Sequence, residues 1–389
     1  MMSESTFATN AVLEARAREP QNAPAVLPIY ASAGWVFRSL DEVDAIYEGR
    51  QAGTVYGGSG VPNHEAFEAV LASLHGAQAV LATAAGMSAF TLALLGLLGK
   101  ESRIVAADDL YGNTTTLLRD FTRFGIAYDL VDVADLAAVA NALKRPAAIV
   151  IVESISNPRV RVADLAALAR LAHDSGALLL VDNSLASPYH CRPLDLGADL
   201  VIESATKFLG GHYDIVLGCI AGPLAVIDRL RPLASRTGLV ASVFEVWLGV
   251  RSIETLDVRM ERSSRNALAI ARRLAAHAKV RAVHYPGLSE QAHLVATLRN
   301  GFGSMLSFEI TPERSAVDRL LGALRRVKLV LSFGGAQTTL SHPATSSHRS
   351  LDRQTRAALG IHDGFLRLSV GLEDANDTIA DLERGLAAV

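Results

Sequence analysis

A chain of 389 residues, half of them hydrophobic and a fifth charged, has the composition of a globular enzyme of more than one domain, not of a disordered or fibrous protein. Its formal net charge of -3 comes without any basic block, so nothing marks a nucleic-acid partner. The two cysteines, Cys191 and Cys219, have neither disulfide nor metal-ligand spacing, and the charged N-terminal stretch has no apolar leader core; both point to the cytoplasm.

Residues 1–54 read as an arm, broken by Pro20, Pro24 and Pro28, with one short helix expected over 41–49. The Gly- and Pro-rich stretch 55–64 is expected to be a loop, and 65–74 a helix by its apolar spacing. No charged residue occurs from 76 to 99, about the length of a membrane span. Gln78, Thr83, Gly86, Ser88 and Thr91 interrupt that stretch, which therefore reads as a buried strand, a turn at Ala85-Gly86 and a buried helix. Strand-like apolar runs lie at 79–84, 103–107, 128–131, 148–152, 178–181, 200–202 and 215–221. Helix-like segments at 87–98, 113–124, 135–144 and 163–174 separate most of them. This alternation predicts an α/β fold with a mainly parallel seven-stranded sheet sandwiched by helices. A long helix is expected at 254–277. Beyond it, strand-like 305–310 and 367–373 mix with helices at 315–324 and 374–387. The expected division is an arm (1–54), a large domain (55–254) and a smaller C-terminal α+β domain (255–389).

Ligands of open α/β sheets bind outside the carboxyl ends of the strands. Polar residues close several of the predicted strands: Asp108, Glu153, Asp182-Asn183 and Ser204 are expected to converge there. Just beyond the last of them comes Ser204-Ala205-Thr206-Lys207-Phe208-Leu209-Gly210-Gly211-His212. A lysine so placed can form a Schiff base with a carbonyl compound, or be an ordinary solvated lysine in a turn. Gly86-Met87, where a strand turns into a helix, suits a phosphate or is simply a turn. Asp182 is either a structural cap or the partner of a protonated ring nitrogen, and Tyr111 either fills the core or stacks on a flat cofactor. A phosphate cradle, an acid, an aromatic ring and a lysine together match the needs of pyridoxal 5'-phosphate (PLP).

The segments DDLYGN, ESISNP, VDNSLASPY, SATKFLGGHYD, VRMERSSRNA, YPGL, SFGG and LRLSVGLED resemble the PLP-dependent enzymes of cysteine and methionine metabolism. These include cystathionine γ-synthase, cystathionine lyases, methionine γ-lyase and O-acylhomoserine sulfhydrylases. The resemblance implies a fold-type I PLP-dependent transferase. Lys207 would be the Schiff-base lysine, Asp182 the partner of the pyridine nitrogen with Ser184 beside it, and Tyr111 the ring-stacking residue and candidate proton donor. Gly86, Met87, Ser204 and Thr206 would hold the phosphate, with Tyr56 from a neighbouring subunit. Arg367 would bind the substrate α-carboxylate, flanked by Asn157 and Ser332. The implied assembly is a homotetramer of active-site-sharing dimers.

The chain departs from the family pattern at several points. Tyr56-Gly57-Gly58 stands where Tyr-Ser-Arg is usual, so a phosphate-binding arginine is absent, and Arg50 or Arg236 is the expected compensator. Val55 and Leu331 replace acids suited to a distal ammonium, which implies an apolar distal pocket. Asn113 replaces the usual glycine or cysteine, and Ser346-Ser347-His348 replaces Met-Thr-His. The apolar distal pocket points to a methionine-like or O-acylhomoserine substrate, whereas Asn113 departs from the cysteine typical of methionine γ-lyases; the expected reaction is γ-elimination on a methionine-like amino acid. The alternatives are γ-replacement, as in an O-acylhomoserine sulfhydrylase or cystathionine γ-synthase, γ-elimination on a non-sulfur analogue such as canavanine, and non-catalytic PLP binding.

Overall fold

The computed structural model describes residues 22–291, 293–349 and 352–389; residues 1–21 of the expected arm, with Pro20, lie outside the described residues. Helix α1 (Leu40–Tyr47) is capped by Ser39, whose side chain accepts the Glu42 N–H. The loop expected over 55–64 is shorter: a 3-10 turn at Gly57–Ser59 leads into α2 (Pro62–His75). Proline opens that helix at no cost, because its fixed φ suits the first turn and its missing N–H has no partner there. The uncharged stretch divides as expected into β1 (Ala79–Thr83) and α3 (Gly86–Leu97). No helix among the described residues is long and apolar enough to cross a membrane.

The alternation continues through β2 (Arg103–Ala107), α4 (Gly112–Phe121), β3 (Ala127–Val131), α5 (Leu136–Ala142), β4 (Ile149–Glu153), α6 (Leu165–Asp174), β5 (Leu178–Asp182), β6 (Leu200–Glu203) and β7 (Gly218–Gly222). Asp135 and Asp164 start α5 and α6 by accepting backbone N–H groups, which satisfies donors that the first turn leaves unpaired. The seven strands form one sheet in the order β1-β7-β6-β5-β4-β2-β3. Strands β6, β5, β4, β2 and β3 are parallel. Every residue of β2 and β4 is buried, as helices on both faces require.

Strand β7 corrects the expected run 215–221. It starts later and runs antiparallel to both β6 and β1. The offset has a local cause: the Leu217 N–H and C=O are both engaged by Thr206, outside the ladder.

Helices α7 (Leu224–Thr237) and α8 (Val243–Ile253) occupy a span where the pattern had indicated no element; Pro232 sits inside α7 and blurs its period. Helix α9 (Leu256–Ala275) leads to a second sheet of β8 (Ala282–His284), β9 (Met305–Glu309), β10 (Lys328–Leu329), β11 (Thr339–Ser341) and β12 (Phe365–Ser369), in the order β10-β11-β12-β9-β8. Helices α10 (Arg314–Ala323) and α11 (Ala375–Ala387) accompany it. The strand expected at 367–373 begins earlier and ends at Ser369, because the Gly371 N–H is taken by the Thr338 hydroxyl instead of a ladder partner.

Two apolar cores result. Phe67, Leu92, Ile104 and Ile151 belong to the one around the large sheet, and Ile270, Phe308, Leu366 and Leu368 to the one around the small sheet. Each fully buried aliphatic side chain contributes about 2 kcal/mol. Register then does the functional work. Glu153 pairs with Asp182, and Asp182 with Ile202, so the carboxyl ends of β4, β5 and β6 stand side by side.

Candidate active site

Those strand ends open into a cavity of about 880 Å³ between the two sheets, and Lys207 faces it. The turn that carries Lys207 is held from behind. Arg259, on α9, is buried and donates to the carbonyls of Phe208, Leu209 and Ser252. From the other side comes the segment 332–335. A Cβ on Gly334, whose φ is +93, would sit 2.7 Å from the Lys207 carbonyl carbon, so only glycine permits this approach. It brings the Ser332 hydroxyl within 2.9 Å of Lys207 Nζ, which donates to it, and sets Nζ 4.8 Å from the centre of the Phe333 ring.

Burial, with the positive charge of Arg367 nearby, lowers the Lys207 pKa to about 8, while Asp182 acts in the opposite sense. The amine is thus neutral, and nucleophilic, at a pH where an ordinary lysine is still protonated. Asp182 accepts the Ser184 N–H at 2.9 Å. Burial pushes its carboxyl pKa up, and Ser184 and Lys207 hold it down. Glu153 is buried as well, and its pKa is pushed well above the usual carboxylate range by burial and then by Asp182. Its two oxygens accept the Tyr111 N–H (2.6 Å) and the Asn157 N–H (3.0 Å). One carboxyl therefore ties the Tyr111 turn to the Asn157 turn.

Arg367, on β12, is 3 % exposed. It donates to Asn157 Oδ1 at 2.5 Å and to Ser341 Oγ at 3.1 Å, and its guanidinium carbon lies 5.1 Å from the Phe333 ring centre. No carboxylate among the described residues forms an ion pair with it. Burial lowers its pKa to about 10. A buried guanidinium without an anion is a site prepared for one.

At the far side, Gly86 opens α3 behind Ala85, whose side chain makes no cap. A Cβ on Gly86 would meet Ser204 Cβ at 2.8 Å. The helix N-terminus, with its unpaired N–H groups, therefore faces Ser204 at van der Waals contact, which suits a phosphate. Met87, Ser204 and Thr206 also line the cavity. The Thr206 hydroxyl already bonds to the Leu217 backbone, so it approaches a ligand as a shared group.

Of the residues singled out from the sequence, Gly86, Met87, Tyr111, Asn157, Asp182, Ser184, Ser204, Thr206, Lys207, Leu331 and Arg367 line this one cavity, and Ser332 touches Lys207. Others are elsewhere. Tyr56 is 57 % exposed and forms a β-bridge with Gly34, and neither it nor Val55 lines the cavity of its own chain. Arg50 is exposed and paired with Glu48; Arg236 is exposed on α7. Two of the strand-end residues do not join the site: Asp108 turns to Arg161, and Asn183 bonds to Glu203 and the Cys191 carbonyl. The cavity also holds Phe90, Asn113, Phe333, Ser346, Ser347 and Arg349. Of these, Phe90 and Arg349 carried no mark in the sequence, whereas Glu153 was detectable as the strand-end twin of Asp182.

A half-buried lysine of lowered pKa, an acid at a neighbouring strand end, a helix N-terminus beside hydroxyls and a buried arginine with no anionic partner among the described residues are what a fold-type I PLP-dependent enzyme requires. The donor set suits that cofactor: Gly86, Met87, Ser204 and Thr206 would take its phosphate, Asp182 its ring nitrogen and Lys207 its carbonyl. The chain belongs to the Cys/Met metabolism PLP-dependent enzyme family, which it matches over residues 8–387. It is 38 % identical to the L-methionine gamma-lyase of Pseudomonas putida, covering 98 % of this chain and 97 % of that one. It is 37 % identical to the O-succinylhomoserine sulfhydrylase of Pseudomonas aeruginosa, over 98 % of this chain and 96 % of that one. The cystathionine gamma synthase of Xanthomonas oryzae pv. oryzae, solved with aminoacrylate and cysteine, superposes with a TM-score of 0.89 at 34 % identity, over 99 % of each chain. The chain is thus a PLP-dependent carbon–sulfur lyase or a related enzyme acting on a small amino acid.

Proposed function

We propose that this enzyme catalyses γ-elimination on a methionine-like L-amino acid, taking up one water and releasing a thiol, a 2-oxo acid and ammonia. The observation that carries the reading is the distribution of charge around the cavity. Of its acids, Glu153 is buried with both oxygens on backbone donors, and half-buried Asp182 accepts the Ser184 N–H at the inner end of the cavity. The outer lining has exposed Val216 and Leu331, and Arg349 is its only charged side chain among the described residues. A second cation at the far end of the substrate would meet no partner there, and an uncompensated charge is costly. That disfavours cystathionine and canavanine and favours a neutral thioether.

When bound, PLP supplies an electron sink conjugated to the substrate Cα. The protein's own groups do the rest. Arg367 and Asn157 hold the α-carboxylate, which orients the Cα–H toward Lys207. The neutral Nζ removes that proton, with Ser332 receiving its spare N–H. Asp182 keeps the ring nitrogen protonated. The Tyr111 hydroxyl delivers a proton to the departing sulfur. The cavity is completed by Tyr56 of a second copy in a homotetramer of active-site-sharing dimers; the exposed, apolar Val26, Ile29, Val36 and Tyr56 of the N-terminal stretch are consistent with such a covering. In this reading 55–254 is the cofactor domain and 255–389 the domain that closes on the substrate.

One observation favours a second reading. The Arg349 guanidinium suits a γ-acyl group that ends in a carboxylate, as in γ-replacement on an O-acylhomoserine. Product analysis decides between them. The PLP-loaded protein with L-methionine alone should accumulate 2-oxobutyrate and methanethiol. No turnover of methionine, with rapid use of an O-acylhomoserine plus a thiol, would establish the second reading instead.

A further inference from the structure

We propose that Asn113 is a positioning residue for the Tyr111 phenol: its amide donates a hydrogen bond to the phenol oxygen, aims the phenol proton into the cavity and steadies the phenolate that remains once the proton has left. The inference rests on the reading of Tyr111 as the proton donor to the leaving group. Its basis is local geometry. Tyr111 caps α4, and Asn113 stands in the first turn of that helix. Asn113 Nδ2 lies 3.0 Å from Tyr111 Oη, and both side chains line the cavity.

The base of the tyrosine is fixed, since Glu153 accepts its backbone N–H. Rotation at the ring end is therefore the remaining freedom, and the amide removes much of it. A phenol oxygen that accepts an N–H on one side turns its own O–H to the other. No second partner of the Tyr111 hydroxyl stands among the described residues, so that proton is available to a ligand. The charged groups facing the ring are Arg367 from β12 and Glu153 from β4. Burial raises the phenol pKa first, Arg367 lowers it, and Glu153 raises it. A donor on the phenol oxygen acts in the same sense as Arg367, and an amide does so at every pH because it does not ionise.

The test compares Asn113→Leu, which keeps the size and loses the donor, with Asn113→Asp, which keeps the shape and can only accept when ionised. Tyr111 is titrated in the holoenzyme by NMR of carbon-13-labelled tyrosine, its signal assigned with Tyr111→Phe. The Leu variant should titrate about one pH unit higher than wild type, and the Asp variant at least as high. The alkaline limb of kcat for γ-elimination should move up with it while KM stays constant. A Tyr111 titration that does not move, or that moves down, overturns the pairing. A shifted titration with an unmoved kcat profile overturns its catalytic role. If wild type eliminates nothing from any γ-substituted amino acid, the proposed function fails, and the titration alone still decides on the hydrogen bond.

Discussion

Replacing Arg367 by methionine should lower activity and raise stability at once. The guanidinium is 3 % exposed and has neutral partners only, Asn157 Oδ1 and Ser341 Oγ. In the cofactor-free protein it is a buried cation without an anionic partner among the described residues. Burial takes its pKa from 12.5 to about 10, a difference of about 2.5, which at 1.36 kcal/mol per unit amounts to about 3 kcal/mol of destabilisation. Methionine removes that cost and leaves Asn157 Oδ1 unpaired, at about 1 kcal/mol. A net gain of about 2 kcal/mol is expected, of the same sign as replacing buried charges by apolar side chains elsewhere. In the substrate complex, two charge-assisted hydrogen bonds to the α-carboxylate are lost, each worth about 1.5–3 kcal/mol. That predicts a fall in kcat/KM of about two to four orders of magnitude. Thermal unfolding of the cofactor-free protein and steady-state kinetics of the loaded one read both effects. A variant less stable than wild type, or one within fivefold of its kcat/KM, would refute the argument.

The lowered pKa of Lys207 makes a pH prediction. A base whose folded pKa is depressed is destabilised in its protonated form, so it costs stability fully below about pH 8 and ceases to cost by the ordinary lysine value of 10.5. Lys207→Met should therefore stabilise the cofactor-free protein near neutral pH, and the gain should vanish toward pH 10.5; a constant gain across that range speaks against it. For the same reason, the rate of PLP loading should rise with pH to a plateau just above about 8; a midpoint in the ordinary lysine range would contradict the burial. Gly86→Ala drives a methyl to within 2.8 Å of Ser204 Cβ at the helix N-terminus. It should weaken PLP binding by about ten- to a hundredfold, a cost of about 1–3 kcal/mol for one overpacked methyl, as measured by equilibrium dialysis. Unchanged PLP affinity would place the phosphate elsewhere.

Much of the fold was legible because its strands are buried on both faces. The stretches 104–107 and 148–152 are apolar throughout, and such short blocks between amphipathic helices read as buried strands. The same logic failed at β7. Hydrophobicity marks a buried strand but not its direction, and whether Leu217 bonds within the ladder or to Thr206 depends on a residue eleven positions away. Helices α7 and α8 are obscured for a different reason: Pro232 interrupts the period of one, and α8 is apolar on most sides, so its buried stripe of Val246, Gly249 and Ile253 does not stand out from the sequence.

The sequence by itself determined the class of chemistry. Lys207 between hydroxyls and glycines, Asp182 at a strand end and Gly86 at a strand-to-helix turn each allow a purely structural reading alone; it is their combination that matches PLP, and the resemblance to the family that adds Arg367. Tertiary structure decided what those groups experience. Ser332 reaches Lys207 from 125 positions along the chain, and Asn157 reaches Arg367 from 210. Glu153 joins the site through strand register, and Arg349 through the path of a loop between β11 and β12. The lowered pKa of Lys207 follows from burial and from Arg367 together. Desolvation and charge coupling depend on distance in space, which separation along the chain does not encode.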